Sequence, residues 1–554
     1  MRHPYVVEEF TPDERAVLER FVTNQDRPVF ALLNLPEAVK GAMFARYSRT
    51  AKSLRRLFLD EFWSAEADGT ATGPGGGEAA MRRAEELYGR IFIEFGDDSV
   101  AQLGGAHLAV EQASNLLTKQ IEWGRLAAYL EQSTRYVAYD DRPAGRWRYY
   151  RDPDIAASPH AAGYGKTLDA IFAAYAGALP RAMEHFAARF PKDPGDPDRI
   201  WKATIKAKAC DTLRGMLPAA TVSNIGIFAT GQAYENMLLR LRGLPLAECR
   251  EVAAMMLQEL NIVIPTFLQR VEVPERGGAW TEYLRSTRES MASLAGSILG
   301  EHKPEDRPLV TLVDHDPDAE VKLVAAMLYP YSRLPEDALL ERARAMTAEE
   351  RLRVMRTYVG ERTNRRHKPG RALERVGYRF DVLGDYGAFR DLQRHRMLTI
   401  EWQDLTPLHG ADVPPDADEA GLGAAYRDAL ERSAALWERI EPTLPQQSQY
   451  AVCMAYRIRY AMQMNLREAM HLIELRSGAQ GHPGYRRVAH EMYRLIAEDA
   501  GHRAVAEFLR FVDFDDVDLE RLEAERRAER KRLEAIERDR SPGDGAPGVR
   551  PGRT

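Results

Sequence analysis

Cysteine is scarce in this chain. Its 554 residues hold three, Cys210, Cys249 and Cys453, at spacings that fit neither a disulfide framework nor a metal-binding pair. They read as small buried hydrophobes in a reducing compartment, and no metal site is expected. Long apolar runs are missing too: none approaches the roughly 20 residues that span a bilayer. The N-terminal Met1-Arg-His-Pro-Tyr5 leads into acidic residues without an apolar signal core. No membrane association and a cytoplasmic location are therefore expected. A surplus of one charge is also lacking, since 77 Lys and Arg face 83 Asp and Glu, for a net charge of -6. That balance gives no electrostatic reason to expect nucleic acid as a partner. Finally, no Ser-His-Asp or Cys-His grouping suggests a covalent nucleophile.

What is present is ample core material, with 45% hydrophobic residues and 29% charged, and an internal repeat that organises the chain. Arg27-Pro28-Val-Phe-Ala-Leu-Leu, Pro36-Glu-Ala-Val-Lys and Arg46-Tyr47-Ser48-Arg49 recur as Arg307-Pro308-Leu-Val-Thr-Leu-Val, Pro317-Asp-Ala-Glu-Val-Lys and Pro330-Tyr331-Ser332-Arg333. The spacing between matching positions shrinks along the chain, so the first copy carries the longer insertions. One is the glycine-rich stretch Asp68–Gly77, read as a surface loop. Another lies between about residues 142 and 200, where Pro/Gly turns flank a helical segment. Each copy opens on a strand-like run, Val29–Leu33 and Leu309–Val313. Most of the remainder reads helical, including Ala451–Leu475 and Tyr485–Ala497. The expectation is a helix-rich, duplicated α+β fold. Its boundaries fall at residues 1–268 for the first domain, 269–305 for a connector and 306–515 for the second domain. Residues 516–554 would form a charged helix, Glu520–Arg540, and a disordered tail.

The polar clusters carry the chemistry. Gln120-Ile-Glu-Trp-Gly-Arg-Leu-Ala-Ala-Tyr-Leu-Glu131-Gln-Ser133-Thr-Arg135-Tyr136 in the first copy corresponds to Gln393-Arg394-His395-Arg396-Met-Leu-Thr-Ile-Glu-Trp-Gln in the second. One ends in Glu-x-Ser-x-Arg-Tyr and the other begins with Arg-His-Arg. Arginine suits planar, bidentate recognition of phosphate and carboxylate, and a Ser/Thr/Arg loop at the end of an apolar helix offers matching donors. Arg214 stands just before a proline stop in Arg214-Gly-Met-Leu-Pro218. On a helix, Arg467, His471 and Glu474 share one stripe. Read without a ligand, that stripe is a solvated face with an Arg–Glu pair. Arg476 closes the same segment and opens Ser477-Gly-Ala-Gln-Gly-His482-Pro-Gly, whose glycines allow close approach to a ligand.

Together these residues resemble the flavin-dependent thymidylate synthase family. Its signature runs Arg-His-Arg-x-x-Ser-x-Asn-Glu-x-Ser-x-Arg-Tyr, with an Arg-x-x-Leu-Pro segment and a later Asn-x-Arg helix ending in Leu-Arg. The resemblance covers roughly residues 27–265 and 307–512, and Ala45-Arg46-Tyr47-Ser48 agrees with it. It implies that the first copy holds the substrate dUMP through Gln120, Glu131, Ser133, Arg135, Tyr136 and Arg214. It implies that the second copy holds FAD through Arg394, His395, Arg396, Asn465, Arg467 and His471, with Arg476 as the catalytic arginine at the pyrimidine. Each copy departs from the signature where the other keeps it: Trp123-Gly124-Arg125 replaces Arg-His-Arg, and Glu401-Trp402-Gln-Asp404-Leu-Thr406-Pro407 replaces the nucleotide loop.

The expected reaction is reductive methylation of dUMP to dTMP, with methylene-tetrahydrofolate and NADPH as cosubstrates. Family sites form between subunits of a homotetramer. The copies are therefore expected to pack as an intrachain pseudo-dimer, and the chain to form a homodimer imitating that tetramer. Two other readings stay open: a flavoenzyme acting on another pyrimidine nucleotide, because Gly481-His482-Pro483 departs from the family, and a non-catalytic FAD- or nucleotide-binding homologue.

Overall fold

The structure is a computed structural model that describes residues 8–47, 50–63, 102–300, 304–515, 519 and 522–540. The Asp68–Gly77 loop, Ser48 and the tail from Ser541 lie outside the described residues. Two compact units are formed. The first comprises Met1–Gln132, Asp152–Asp154 and Val222–Lys303; the second comprises Ser133–Arg151, Ile155–Thr221 and Pro304–Thr554. These units cut across the boundaries set by the repeat, because a large part of the first copy is built into the same unit as the second.

The first unit holds an antiparallel sheet of β1 (Gly105–Ser114), β2 (Ala127–Glu131) and β3 (Val222–Thr230), in the order β1-β3-β2. In β3, Ser223, Ile225, Ile227 and Ala229 are buried while Asn224, Gly226 and Phe228 face outward, the period of two that a half-covered strand needs. A bulge in β1 places Gln112 at φ +56°, and Asn224 Oδ1 accepts its N–H at 3.0 Å. β1 then runs directly into helix α1 (Asn115–Ile121), because the hydroxyl of Ser114 accepts the Leu117 N–H at 3.0 Å and caps the first turn.

In the second unit, the helix Ala161–Arg189 packs on α2 (Asp198–Leu213) and on Gly423–Ile440. The sheet has β4 (Val310–His315), β5 (Gly377–Asp385), β6 (Leu398–Trp402) and β7 (Arg457–Asn465) in the order β4-β5-β7-β6, all antiparallel. Strand again leads straight to capped helix. Asp385 accepts the Ala388 N–H at 2.8 Å to start α3 (Tyr386–Leu392). Asn465 accepts the Glu468 N–H at 2.9 Å to start α4 (Leu466–Arg476), and α5 (Pro483–Arg494) follows. Residues 214–220 lie antiparallel to residues 449–455: Ala219 donates to the Val452 carbonyl at 2.8 Å, Met454 to Leu217 at 2.9 Å and Ala455 to Gly215 at 3.0 Å. A side chain at Gly215 would collide with Tyr426 and Ala455, so glycine is what permits this approach.

Several expectations change. Val29–Leu33 is not a strand; only Leu32 forms an isolated bridge, with Val22, and a lone pairing builds no sheet. Ala451–Leu475 is not one helix, since its middle is β7, where Ile458, Tyr460, Met462 and Met464 alternate inward. The Ser133–Tyr136 turn follows strand β2 rather than a helix end. The charged C-terminal helix, Leu522–Arg540, is not merely solvated: Arg526 pairs with Asp193 and Asp196 at 2.6 Å.

Glu474 does not pair with Arg467. It is buried in a bidentate pair with Arg362, at 2.7 and 2.6 Å, and Arg362 also donates to the carbonyls of Phe508 and His367. Removing one partner of such a pair leaves an uncompensated buried charge. Arg362→Ala is thus expected to destabilise the protein by about 3 kcal/mol, measured as a lowered denaturation midpoint against wild type.

Candidate functional site

The second unit gathers arginines from both copies around carboxylates. Arg135 is gripped by Asp211, Nε to Oδ1 and Nη2 to Oδ2 both at 2.7 Å, and its Nη1 donates to the Tyr485 hydroxyl at 2.9 Å. Tyr485, on α5, also lies beneath the Arg476 guanidinium, 5.4 Å from the ring centre. Arg214, at the end of α2, reaches Asp391 Oδ2 at 3.4 Å, and Arg394 stands 3.9 Å from the other oxygen. Burial works against the Asp391 charge, but Arg394, Arg214, Arg476 and Arg135 together hold its carboxyl well below the usual range.

Next to this group, His395 Nδ1 lies 2.8 Å from Glu468 Oε1, while Arg476 Nε donates to His395 Nε2 at 3.0 Å. Burial, followed by the charges of Arg476 and Lys368, keeps the imidazole neutral at ordinary pH. The His471 ring lies tilted against it, with centres 5.3 Å apart, and burial pushes its pKa down to about 4. His395, Glu468 and His471 bring three ligand-type atoms within 4.8 Å. Both His395 nitrogens are already hydrogen-bonded, so the cluster reads as a relay.

A cavity of about 560 Å³ opens on the other side of Arg214, lined among others by Asp211, Asp385, Tyr426, His482 and Arg487. Arg214 is 3% exposed, and its Nη2 has no hydrogen-bond partner among the described residues. Burying a guanidinium nitrogen without an acceptor is costly unless a ligand satisfies it. His482 is neutral there, because burial and then Arg214 depress its pKa. The volume lies within the range of small-molecule sites.

The expected site residues thus separate. Arg135, Arg214, Arg394, His395 and Arg476 come together. Asn465 is spent on capping α4, and Arg467 donates to the Pro369 carbonyl at 2.9 Å, with a partly exposed head. Arg396 and Tyr136 are exposed, and Ser133 Oγ turns back to accept the Arg135 N–H at 3.2 Å. Gln120 and Glu131 belong to the first unit. There the Gln120 carbonyl accepts from Arg240, and Glu131 holds the Lys119 ammonium at 3.0 Å. Missing from the sequence reading were Asp211, Asp391, Glu468 and Tyr485. A signal existed for two of them: an aspartate stands three residues before Arg214 and three before Arg394. Buried arginines require such anions.

The family model described as thymidylate synthase complementing protein matches residues 44–266 and again 311–500. The chain belongs to that family. This is the flavin-dependent thymidylate synthase family that the motifs resemble, and it places the chain among thymidylate synthase-like proteins. A UPF0159 protein of Chlamydia pneumoniae is 39% identical over 525 residues, covering 94% of this chain and 98% of that protein. A UPF0159 protein of Thermoplasma acidophilum is 32% identical over 515 residues, covering 88% and 97%. Among solved structures, a UMP/dUMP methylase PolB from Streptomyces cacaoi, bound with 5-Br dUMP, aligns at 18% identity and a TM-score of 0.28. It covers 37% of this chain and 96% of that one.

Asp391 has a depressed folded-state pKa, so the stability it contributes is complete above its unfolded value of about 4. That stability is lost as pH falls through the lower folded value. Asp391→Asn is expected to cost about 3 kcal/mol at pH 7 and to flatten the decline in melting temperature below about pH 4, as read by calorimetry across pH.

Proposed function

We propose that this chain is a FAD-dependent thymidylate synthase-like enzyme, with one composite site in the second unit built from both copies. The reaction would be methylation of dUMP to dTMP, with methylene-tetrahydrofolate as carbon donor and NADPH as reductant. The observation that carries the reading is Arg214: a buried residue from the first copy that lines a cavity, with one guanidinium nitrogen unsatisfied among the described residues, within the same charge cluster as Arg394 and Arg476 of the second. The antiparallel pairing of residues 214–220 with 449–455 supports an intrachain pseudo-dimer, and a homodimer of the chain would supply four such halves.

In this reading Arg214 takes the nucleotide phosphate. Arg135, already neutralised by Asp211, positions Tyr485 rather than binding phosphate itself. Arg476 faces the pyrimidine carbonyl and stabilises the negative charge that develops on the ring as C5 becomes nucleophilic. The donor set also fits a flavin dinucleotide. Arg394, Arg396 and Arg467 present partly or fully exposed cations suited to a diphosphate, near Asn465 and His471 at the opening turns of α4. FAD held there would supply the hydride once reduced. Gln120, Glu131, Ser133 and Tyr136 stand outside the proposed contacts.

A yellow preparation that bleaches with NADPH only when dUMP is present supports this function. Bleaching independent of dUMP favours another pyrimidine nucleotide, a reading that His482 in the cavity wall keeps open. Protein that cannot be loaded with FAD is non-catalytic. Arg476→Ala is expected to lower turnover at least a hundredfold, about 2.7 kcal/mol of transition-state stabilisation, while FAD content stays near wild type. Equal loss of both defeats the assignment.

A further inference from the structure

We infer that Glu468 is a positioning residue that fixes the Arg476 guanidinium through His395. This rests on the proposed role of Arg476 and extends it to a carboxylate that touches no ligand in that reading.

The geometry dictates the proton positions. Arg476 Nε always carries a hydrogen, and it lies 3.0 Å from His395 Nε2. That ring nitrogen must therefore be the acceptor. The single hydrogen of a neutral imidazole then sits on Nδ1, pointing at Glu468 Oε1, 2.8 Å away. Moving the hydrogen to Nε2 would set two donors against each other and free Arg476. Glu468 is itself held, because its N–H is bound by the Asn465 cap at 2.9 Å, and it is 7% exposed. Glu468 and Arg476 start and end the same helix. Their eight-residue separation is roughly 12 Å along the axis, too far for a direct bond. His395, entering from the turn after α3, spans the gap and is 6% exposed. With Nε committed to His395 and one face over Tyr485, the remaining guanidinium nitrogens have a set direction.

The other charged groups around the ring are Lys368, Arg365 and Arg467, while His471 beside it is kept neutral by burial. Their positive charge disfavours a cation. A metal on His395 Nδ1 would also displace the hydrogen that Glu468 receives. Relay and metal centre are mutually exclusive here.

The test uses the full chain labelled with 15N-histidine, with the His395 signals identified by their absence in His395→Asn. Wild type is expected to show His395 protonated at Nδ1 and bare at Nε2. Glu468→Ala should populate the other tautomer and weaken dUMP binding about tenfold by calorimetry, with FAD content unchanged. Glu468→Gln, whose amide oxygen accepts the same hydrogen, should restore most of that affinity. Wild-type His395 protonated at Nε2, or a tautomer unmoved in Glu468→Ala, overturns the relay. So does a stoichiometric metal whose removal by chelator shifts the His395 signals. Wild-type protein that fails to bind dUMP counts against the proposed function instead, and the tautomer measurement still decides the relay.

Discussion

Four guanidinium groups, two buried and two partly exposed, cannot lie close together unless an anion stands among them, and Asp391 supplies it to Arg394, Arg214, Arg476 and Arg135. The arginine cluster of the second unit is arranged around that constraint. Asp211 takes Arg135 fully, with both oxygens, and so removes one cation from the balance. Arg214 receives only a long contact from Asp391 and keeps a nitrogen unsatisfied. Arg476 has its Nε engaged by His395 and its guanidinium over Tyr485. The carboxylates therefore do more than neutralise. They decide which arginine is fully paired and which keeps an unsatisfied donor.

This arrangement needs short, rigid connections, and the fold provides the same one repeatedly. Ser114, Thr230, Asp385 and Asn465 each end a strand and cap the helix that follows. No loop intervenes, so a helix inherits its direction from the sheet. Asn465 shows the consequence. By binding the Glu468 N–H it sets the first turn of α4, and eleven residues of helix then fix where Arg476 stands. An expected cofactor ligand thus spends its side-chain oxygen on architecture.

How much of this could be read in the sequence differs by feature. The family and the convergence of Arg135 and Arg214 with Arg394 and Arg476 were legible, because arginine-rich motifs survive as contiguous words. β7 was misread, because Ala451–Leu475 mixes a two-residue and a 3.6-residue period and the second half dominated. Tyr485 and Glu468 carry no motif. Tyr485 matters only because α5 lays it between Arg135 and Arg476, 350 residues apart from the former. The Ser133 loop was correctly located and wrongly attached, since its first-copy neighbours Leu116, Leu117 and Ile121 are helical but β2 intervenes.

In the first unit, the turn after α1 is held by different groups. Where the second copy has Arg394-His395, the first has Trp123-Gly124, and Gly124 offers neither acceptor nor donor in place of the imidazole. Arg240, pushed down to about 10 by burial, packs over Trp123 and holds the Gln120 carbonyl. Lys119 is enclosed between Glu122 and Glu131, so the carboxylate that the family motif would offer to a ligand is committed to a buried ion pair. Breaking that pair to free Glu131 would strand an ammonium in the interior. Glu131 is thereby committed to the fold of the first unit. The second unit, meanwhile, has drawn Arg135 and Arg214 out of the same copy. Under the proposed function the two facts are one: a single site per chain, with the first unit's motif residues released to hold the fold.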